Sequence, residues 1–126
     1  MIDHVSLAVR NLPASAAFFE QVLQPLGMTR LVDRQTSVGF GKTYPEIWLN
    51  ARPSGAPQSP DTGHHVCLRA RTESAVIAFH AAALRHGGAS AGEPGPRQAA
   101  LTPYFAAFVF DLDGNKIEAA SFPKPA

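Results

Sequence analysis

The side chains best suited to hold a metal or move a proton in this chain are its five histidines, its one cysteine and a few of its ten carboxylates. Two histidines stand out by their setting. His4 opens His4-Val5-Ser6-Leu7, and His65 opens His65-Val66-Cys67-Leu68. In both segments the imidazole is out of phase with the apolar residues that follow, so on an extended strand it points away from the buried face. Glu118 is out of phase with Ile117 in the same way. A neutral imidazole ligates transition metals and titrates near neutrality, although a lone histidine more often lines a wet cleft. Cys67 shares the facing of His65. As the sole cysteine it excludes an intrachain disulfide and an all-cysteine metal site, and a buried spectator thiol is its expected role.

Other side chains could meet a ligand. Trp48, Tyr104 and Phe108 could stack on a planar substrate, as aromatic residues on strands also do in cores. Arg69 shares the facing of His65 and Cys67 and could meet an anionic group or reach solvent. His64 has the parity of the helix-covered face, which predicts a hydrogen-bonded core or edge histidine. His80 and His86 fall on a helix, at expected surface or cap positions.

Alternation across residues 2–10 predicts a strand burying Val5, Leu7 and Val9. Asn11 is placed to cap a helix with Pro13 in its first turn, Leu12, Ala16, Phe19, Val22 and Leu23 recur at helical spacing, and Gly27 stops it. A helix over about 12–25 follows, then strands near 28–33, 36–41 and 45–51, the second bent at Gly39-Phe40-Gly41. Residues 53–61 read as a linker. The pattern then restarts with an offset of 61, pairing His4 with His65, Val5 with Val66, Phe18 with Phe79 and Gly27 with Gly88. Nine pairs are identical across the 24 positions from His4 to Gly27. Thr72 is the cap opposite Asn11. Residues 89–103, rich in glycine and proline, read as an irregular connection or a lip. Tyr104–Phe110 and Asn115–Phe122 read as strands joined at Asp113-Gly114, a signal for a primed turn, and residues 123–126 as a short tail.

The repeat predicts an α+β domain of two tandem βαβββ modules, residues about 1–52 and 62–123, forming a curved half-barrel around one cavity. Its open sheet edges predict a homodimer. At 126 residues the chain can bury one core; 45% hydrophobic and 17% charged residues are globular values. A net charge of +1 without a basic run argues against nucleic acid or an anionic membrane as a partner. With no apolar run of membrane-spanning length, a cytoplasmic protein is expected.

The segments Ile2-Asp3-His4-Val5-Ser6-Leu7-Ala8-Val9, His65-Val66-Cys67-Leu68 and Phe108-Val109-Phe110-Asp111-Leu112-Asp113-Gly114-Asn115-Lys116-Ile117-Glu118 carry a resemblance, as does the Phe18-Phe19 pair. In this order they resemble the vicinal oxygen chelate superfamily of glyoxalases, bleomycin-resistance proteins and extradiol dioxygenases, over essentially the whole chain. The resemblance implies metal ligands at His4, His65 and Glu118, a dimer, and a small-molecule substrate or ligand. Two imidazoles and a carboxylate with open positions suit one divalent ion: Fe, Mn, Ni, Co or Zn. Glu118 would also be the catalytic carboxylate.

One departure bears on the reaction. Glyoxalase I enzymes use a fourth ligand, a glutamate on the last strand of the first module. Matching Ile47-Trp48-Leu49 to Ile117-Glu118-Ala119 puts Trp48 there; Glu46 has the same facing but stands two residues earlier. That argues against glyoxalase I chemistry and leaves a three-ligand set like that of extradiol dioxygenases. Leu112 also replaces the usual proline of the closing turn. The expected function is a metal-dependent enzyme, a lyase, isomerase or dioxygenase, acting through bidentate oxygen chelation. The alternative is a metal-free binding protein of the bleomycin-resistance type. No acidic cluster suited to cationic drugs appears in the sequence.

Overall fold

The computed structural model describes residues 1–59, 62–98 and 101–123. Two similar units follow one another. Strand β1 (Val5–Val9), helix α1 (Leu12–Leu23) with a 3-10 turn at Gln24–Leu26, and strands β2 (Thr29–Asp33), β3 (Ser37–Gly41) and β4 (Ile47–Ala51) form the first. Strand β5 (Val66–Arg69), helix α2 (Glu73–Arg85) and strands β6 (Ala89–Gln98), β7 (Pro103–Phe110) and β8 (Lys116–Ser121) form the second. Each unit makes one mixed four-stranded sheet, in the orders β1-β4-β3-β2 and β5-β8-β7-β6. The fold is α+β with two βαβββ modules.

Both helices start as their caps require: Asn11 Oδ1 accepts from Ala14 N–H at 3.1 Å, and Thr72 Oγ1 from Ala75 N–H at 3.1 Å. Val9, Phe18, Phe19, Val22, Leu23, Phe40, Leu49, Val76, Phe79, Val109 and Ile117 are almost completely buried, in one core cluster that spans both units. Each such side chain contributes about 1.5–3 kcal/mol of burial. No helix of the described residues is long and apolar enough to cross a membrane.

Three expectations are corrected here. Residues 89–98 are not an irregular lip but a ten-residue strand, β6, whose register against β7 shifts around Gly92 and Gly95. The glycines serve as strand irregularities, and Pro94 and Pro96 are tolerated because β6 is an edge strand. The β7–β8 turn is not a primed turn. Gly114 has φ +85°, but among the described residues no non-glycine residue has positive φ, as Asp113 would need in a type I′ turn. Asp111 N–H donates to Asn115 O and Gly114 N–H to Asp111 O, the pattern of a three-residue loop with a glycine bulge. Finally, His80 is not a surface residue. It shares the inner face of α2 with Val76, Phe79 and Ala83, is 4% exposed, and lies 2.8 Å from Ser90 Oγ. Of the expected linker and tail, residues 60–61 and 124–126 lie outside the described residues.

The β7–β8 turn fastens the second unit to the first. Asp113 Oδ1 accepts from Arg10 N–H and Arg10 Nε at 3.0 and 2.9 Å, Oδ2 from Ser15 Oγ, and Asn115 Nδ2 donates to Ala8 O at 3.1 Å.

Candidate functional site

The register of the second sheet sorts its side chains. Cys67 is opposite Glu118, and Glu118 is opposite Phe108. Their neighbours Ile117 and Val109 point to α2 and the core, so Cys67, Glu118 and Phe108 stand in one row on the other face. His65 and Lys116 lie on one side of that row, Arg69 and Ala120 on the other, and Tyr104 farther along β7. These side chains converge. His65 Nε2 is 2.8 Å from Glu118 Oε1, and the His65 and Phe108 rings meet edge to face at 5.4 Å. Tyr104 stacks on Phe122 at 5.0 Å, with the Arg69 guanidinium 4.8 Å from that same ring centroid.

Glu118 is the unusual member. It is 4% exposed, and its second oxygen, Oε2, is buried with no hydrogen-bond partner among the described residues. A buried, unsatisfied carboxylate oxygen costs about 1–3 kcal/mol, so such groups mark sites where another partner belongs. Its neighbours respond. The Cys67 thiol is pushed up to about 12, chiefly by partial burial of a residue whose outer side stays open and next by the Glu118 charge. The Tyr104 hydroxyl is raised by burial and then by the same charge, so it stays a phenol donor at neutral pH.

These residues fit a divalent metal in two respects. Two ligands about 2.1 Å from one ion and near a right angle lie about 3 Å apart, close to the His65–Glu118 separation of 2.8 Å. Glu118 Oε2 also offers an unused lone pair to a cation. His4 is placed differently. Its Nδ1 lies 2.8 Å from Asp3 Oδ1, and its ring is half exposed. That carboxylate contact leaves Nε2 free, as where a histidine binds a metal through one nitrogen while a carboxylate holds the other. His4, Glu46, His65 and Cys67 line one cavity of about 380 Å3. Yet among the described residues of a single chain, no three His, Cys, Asp or Glu side chains are placed to hold one ion. His4 is therefore not brought onto the His65–Glu118 pair within one chain.

A family model described as the Glyoxalase/Bleomycin resistance protein/Dioxygenase superfamily matches residues 1–119. The chain belongs to that superfamily. A glyoxalase/bleomycin resistance protein from Albidiferax ferrireducens T118 is 28% identical, with a TM-score of 0.84 over 94% of this chain and 97% of that one. Two more distant structures share the fold. One is a glyoxalase/bleomycin resistance protein/dioxygenase family enzyme from Burkholderia phytofirmans PsJN, at 17% identity and TM-score 0.71, covering 97% of this chain and 98% of that one. The other is the fosfomycin resistance protein FosX from Listeria monocytogenes, at 14% identity and TM-score 0.69, covering 98% and 93%. No curated protein matches the chain.

In this superfamily member the two sheets are not chemically equivalent. Ser6 is opposite Trp48, as Cys67 is opposite Glu118, so Trp48 does occupy the position that Glu118 has in the second unit. Trp48 is also opposite Gly39, where the second unit has Phe108. A Cβ at Gly39 would come within 3.1 Å of the indole, so the glycine makes room for it. The Arg34 guanidinium lies 5.3 Å from the Trp48 ring. Trp48 is thus in the other sheet, off the His65–Glu118 row, and does not line the cavity that holds His4. His64 is hydrogen-bonded, 3.3 Å from Thr62 Oγ1, but exposed and outside the core, because it precedes the strand. His86 caps α2. Cys67 is exposed, not a core thiol, because its strand face is the open one. Sequence reasoning missed Lys116, Arg97 and Phe122. Lys116 was legible, two residues before Glu118 and so of the same facing; Arg97 sits in the segment read as irregular, where facing has no meaning.

Proposed function

We propose that His65 and Glu118 nucleate a site for one divalent transition metal and that the protein is an enzyme acting on a small molecule that chelates through adjacent oxygens. The observation carrying this is the buried, unpartnered Glu118 Oε2 beside a carboxylate oxygen already 2.8 Å from an imidazole. Within one chain His4 does not reach the pair, so the third ligand in this reading is His4 of a second copy of the chain, through its free Nε2, with Asp3 orienting the ring. A second copy of the chain, covering the open sheet edges, accompanies it as a homodimer. When bound, the metal would act as a Lewis acid toward two substrate oxygens and stabilise an enolate-like charge.

The chain's own residues supply the rest. Glu118 anchors and can take up a proton as the catalytic carboxylate. Tyr104, kept protonated, can donate a hydrogen bond, and Phe108 walls the site apolar. Arg69, stacked on Phe122, offers a cation to the substrate. Trp48 substitutes for a fourth ligand, which turns the reading away from a glyoxalase I reaction.

Metal titration of untagged, chelator-stripped protein tests this. One equivalent of Ni(II) or Zn(II) should bind the parent, with His65→Ala abolishing binding and His4→Ala weakening it. Affinity should fall as the solution is acidified, because protons compete with the metal for its ligands. If the His65 variant binds as tightly as the parent, the metal reading is wrong. The protein is then a metal-free small-molecule binder of the bleomycin-resistance type.

A further inference from the structure

Three cations surround Glu118 on this sheet face: Arg69 on β5, Lys116 on β8 and Arg97 on β6. Among the described residues, Glu118 is the only carboxylate on the Cys67–Glu118–Phe108 row. None of the three cations is in an ion pair with Asp or Glu among the described residues; each lies over an aromatic ring instead. Lys116 Nζ is 5.1 Å and Arg97 Cζ 5.8 Å from the centroid of the same Phe108 ring, while Arg69 lies over Phe122. An aromatic face attracts a cation without neutralising it, so the charge, and the N–H groups not held by backbone carbonyls, remain available to an anion.

Arg97 is the most firmly placed. Nη1 donates to Pro96 O at 3.2 Å and Nη2 to Glu93 O at 2.6 Å. The guanidinium lies over Gly92 and Gly95, within 3.3 Å of where a Cβ on either would stand. Two glycines on β6 thus leave the bed in which this arginine folds back toward Phe108. Lys116 and His65 also line a common cavity of about 480 Å3 at the seam between β1 and β5. Three cations against the single Glu118 carboxylate leave this face with an excess of positive charge, and such a field concentrates anions.

We propose that the ligand of this site is an anion: a small molecule with an apolar or aromatic body and a carboxylate or phosphonate group that is received by Lys116 and Arg97 beside Phe108. The inference deepens the function proposed above and rests on the same sheet face for its chelating oxygens. It assigns to Lys116 and Arg97 the charge selection of the ligand. A cationic ligand of the kind taken by some resistance proteins is disfavoured by the same field.

The test uses metal-free full-length protein and four probes that share one ring and differ in charge: benzoate, phenylphosphonate, benzyl alcohol and benzylamine. Binding is followed by shifts of the backbone amides of residues 104–110 and 116–121. Benzoate and phenylphosphonate should bind at least about ten-fold tighter than benzyl alcohol, and benzylamine weaker still. Stronger binding of phenylphosphonate than of benzoate would mark a phosphonate pocket, and the reverse order a carboxylate pocket. Lys116→Gln and Arg97→Gln should each lessen the oxyanion preference several-fold with little change for benzyl alcohol. Both side chains are partly exposed, so the variants should fold.

Equal binding of neutral and anionic probes, or a preference untouched by both substitutions, overturns the proposal. Titration of Zn(II) into the same samples separates the two readings. Oxyanion selectivity without metal binding leaves this inference standing and removes the metal, whereas metal binding without selectivity does the reverse.

Discussion

Replacing Glu118 by methionine should make the metal-free protein more stable while abolishing its response to metal. The carboxylate is 4% exposed and leaves Oε2 without a partner, a deficit of about 1–3 kcal/mol that an isosteric apolar side chain removes. Against this, the variant loses the His65 hydrogen bond. That imidazole is 39% exposed and can turn to water, so the loss falls below the roughly 1.5–3 kcal/mol of a buried bond to a charged group, to about 1 kcal/mol. The net gain is about 1 kcal/mol. A chain of 126 residues has an unfolding entropy near 0.26 kcal/mol/K, so the melting temperature should rise by about 4 °C. Metal acts in the opposite sense. At a free concentration one hundred times its Kd, an ion bound only by the native state adds about 2.7 kcal/mol, or about 10 °C, to the parent and nothing to the variant. Thermal unfolding with chelator and then with saturating Zn(II) should therefore show the two proteins exchanging order. A variant that melts several degrees below the parent in chelator, or gains as much from Zn(II), would refute the reasoning and make Glu118 a structural partner of His65.

Asp113→Ala should destabilise the fold by about 2–4 kcal/mol, lowering the melting temperature by about 8–15 °C, since it removes the acceptor of Arg10 N–H, Arg10 Nε and Ser15 Oγ. Urea unfolding measures it, and a loss under 1 kcal/mol would mean that this turn does not fasten the two units. Cys67, pushed up to about 12, should react with iodoacetamide at pH 8 tens of times more slowly than a free thiol despite its exposure, its thiolate scarcity only partly offset by greater nucleophilicity. Glu118→Gln should speed that labelling, and an unchanged rate would count against the carboxylate as a cause. Asp111 is raised above the ordinary carboxylate range by burial, with the Asp113 charge adding and the Asn115 and Asp113 hydrogen bonds opposing. The native state therefore binds this proton more tightly than the unfolded chain. The contribution of Asp111 to stability rises as pH falls through its raised pKa and levels off below about 3.9. Urea midpoints from pH 7 to 4 should move in favour of the parent over Asp111→Asn as pH falls; a constant gap would contradict this.

The sequence by itself determined the two-module plan. Caps at Asn11 and Thr72, apolar spacing in both helices and the 61-residue repeat are local signals, and a strand or helix burying one face must repeat its apolar residues at its own period. The same alternation determined which way His65, Cys67, Glu118, Phe108 and Lys116 face, because facing on a strand depends only on parity. The equivalence of Trp48 with Glu118, reached from sequence alignment of the two halves, reappears as equal sheet register. Only the tertiary structure decided the rest. Strand β6 escaped a reading of glycine and proline as breakers, because pairing with β7 along one edge overrides weak propensity. His80 went to the interior because α2 lies across β6, a fact of packing absent from its neighbours in sequence. Distance between residues remote in the chain is also a tertiary matter. Parity aimed His4 and His65 alike, yet His65 meets Glu118 across paired strands, while His4, on the other sheet, turns to Asp3. The cations over Phe108 also depend on strand pairing: three successive strands, laid side by side, bring Lys116 and Arg97 to one ring, and no periodicity within any one strand encodes that meeting.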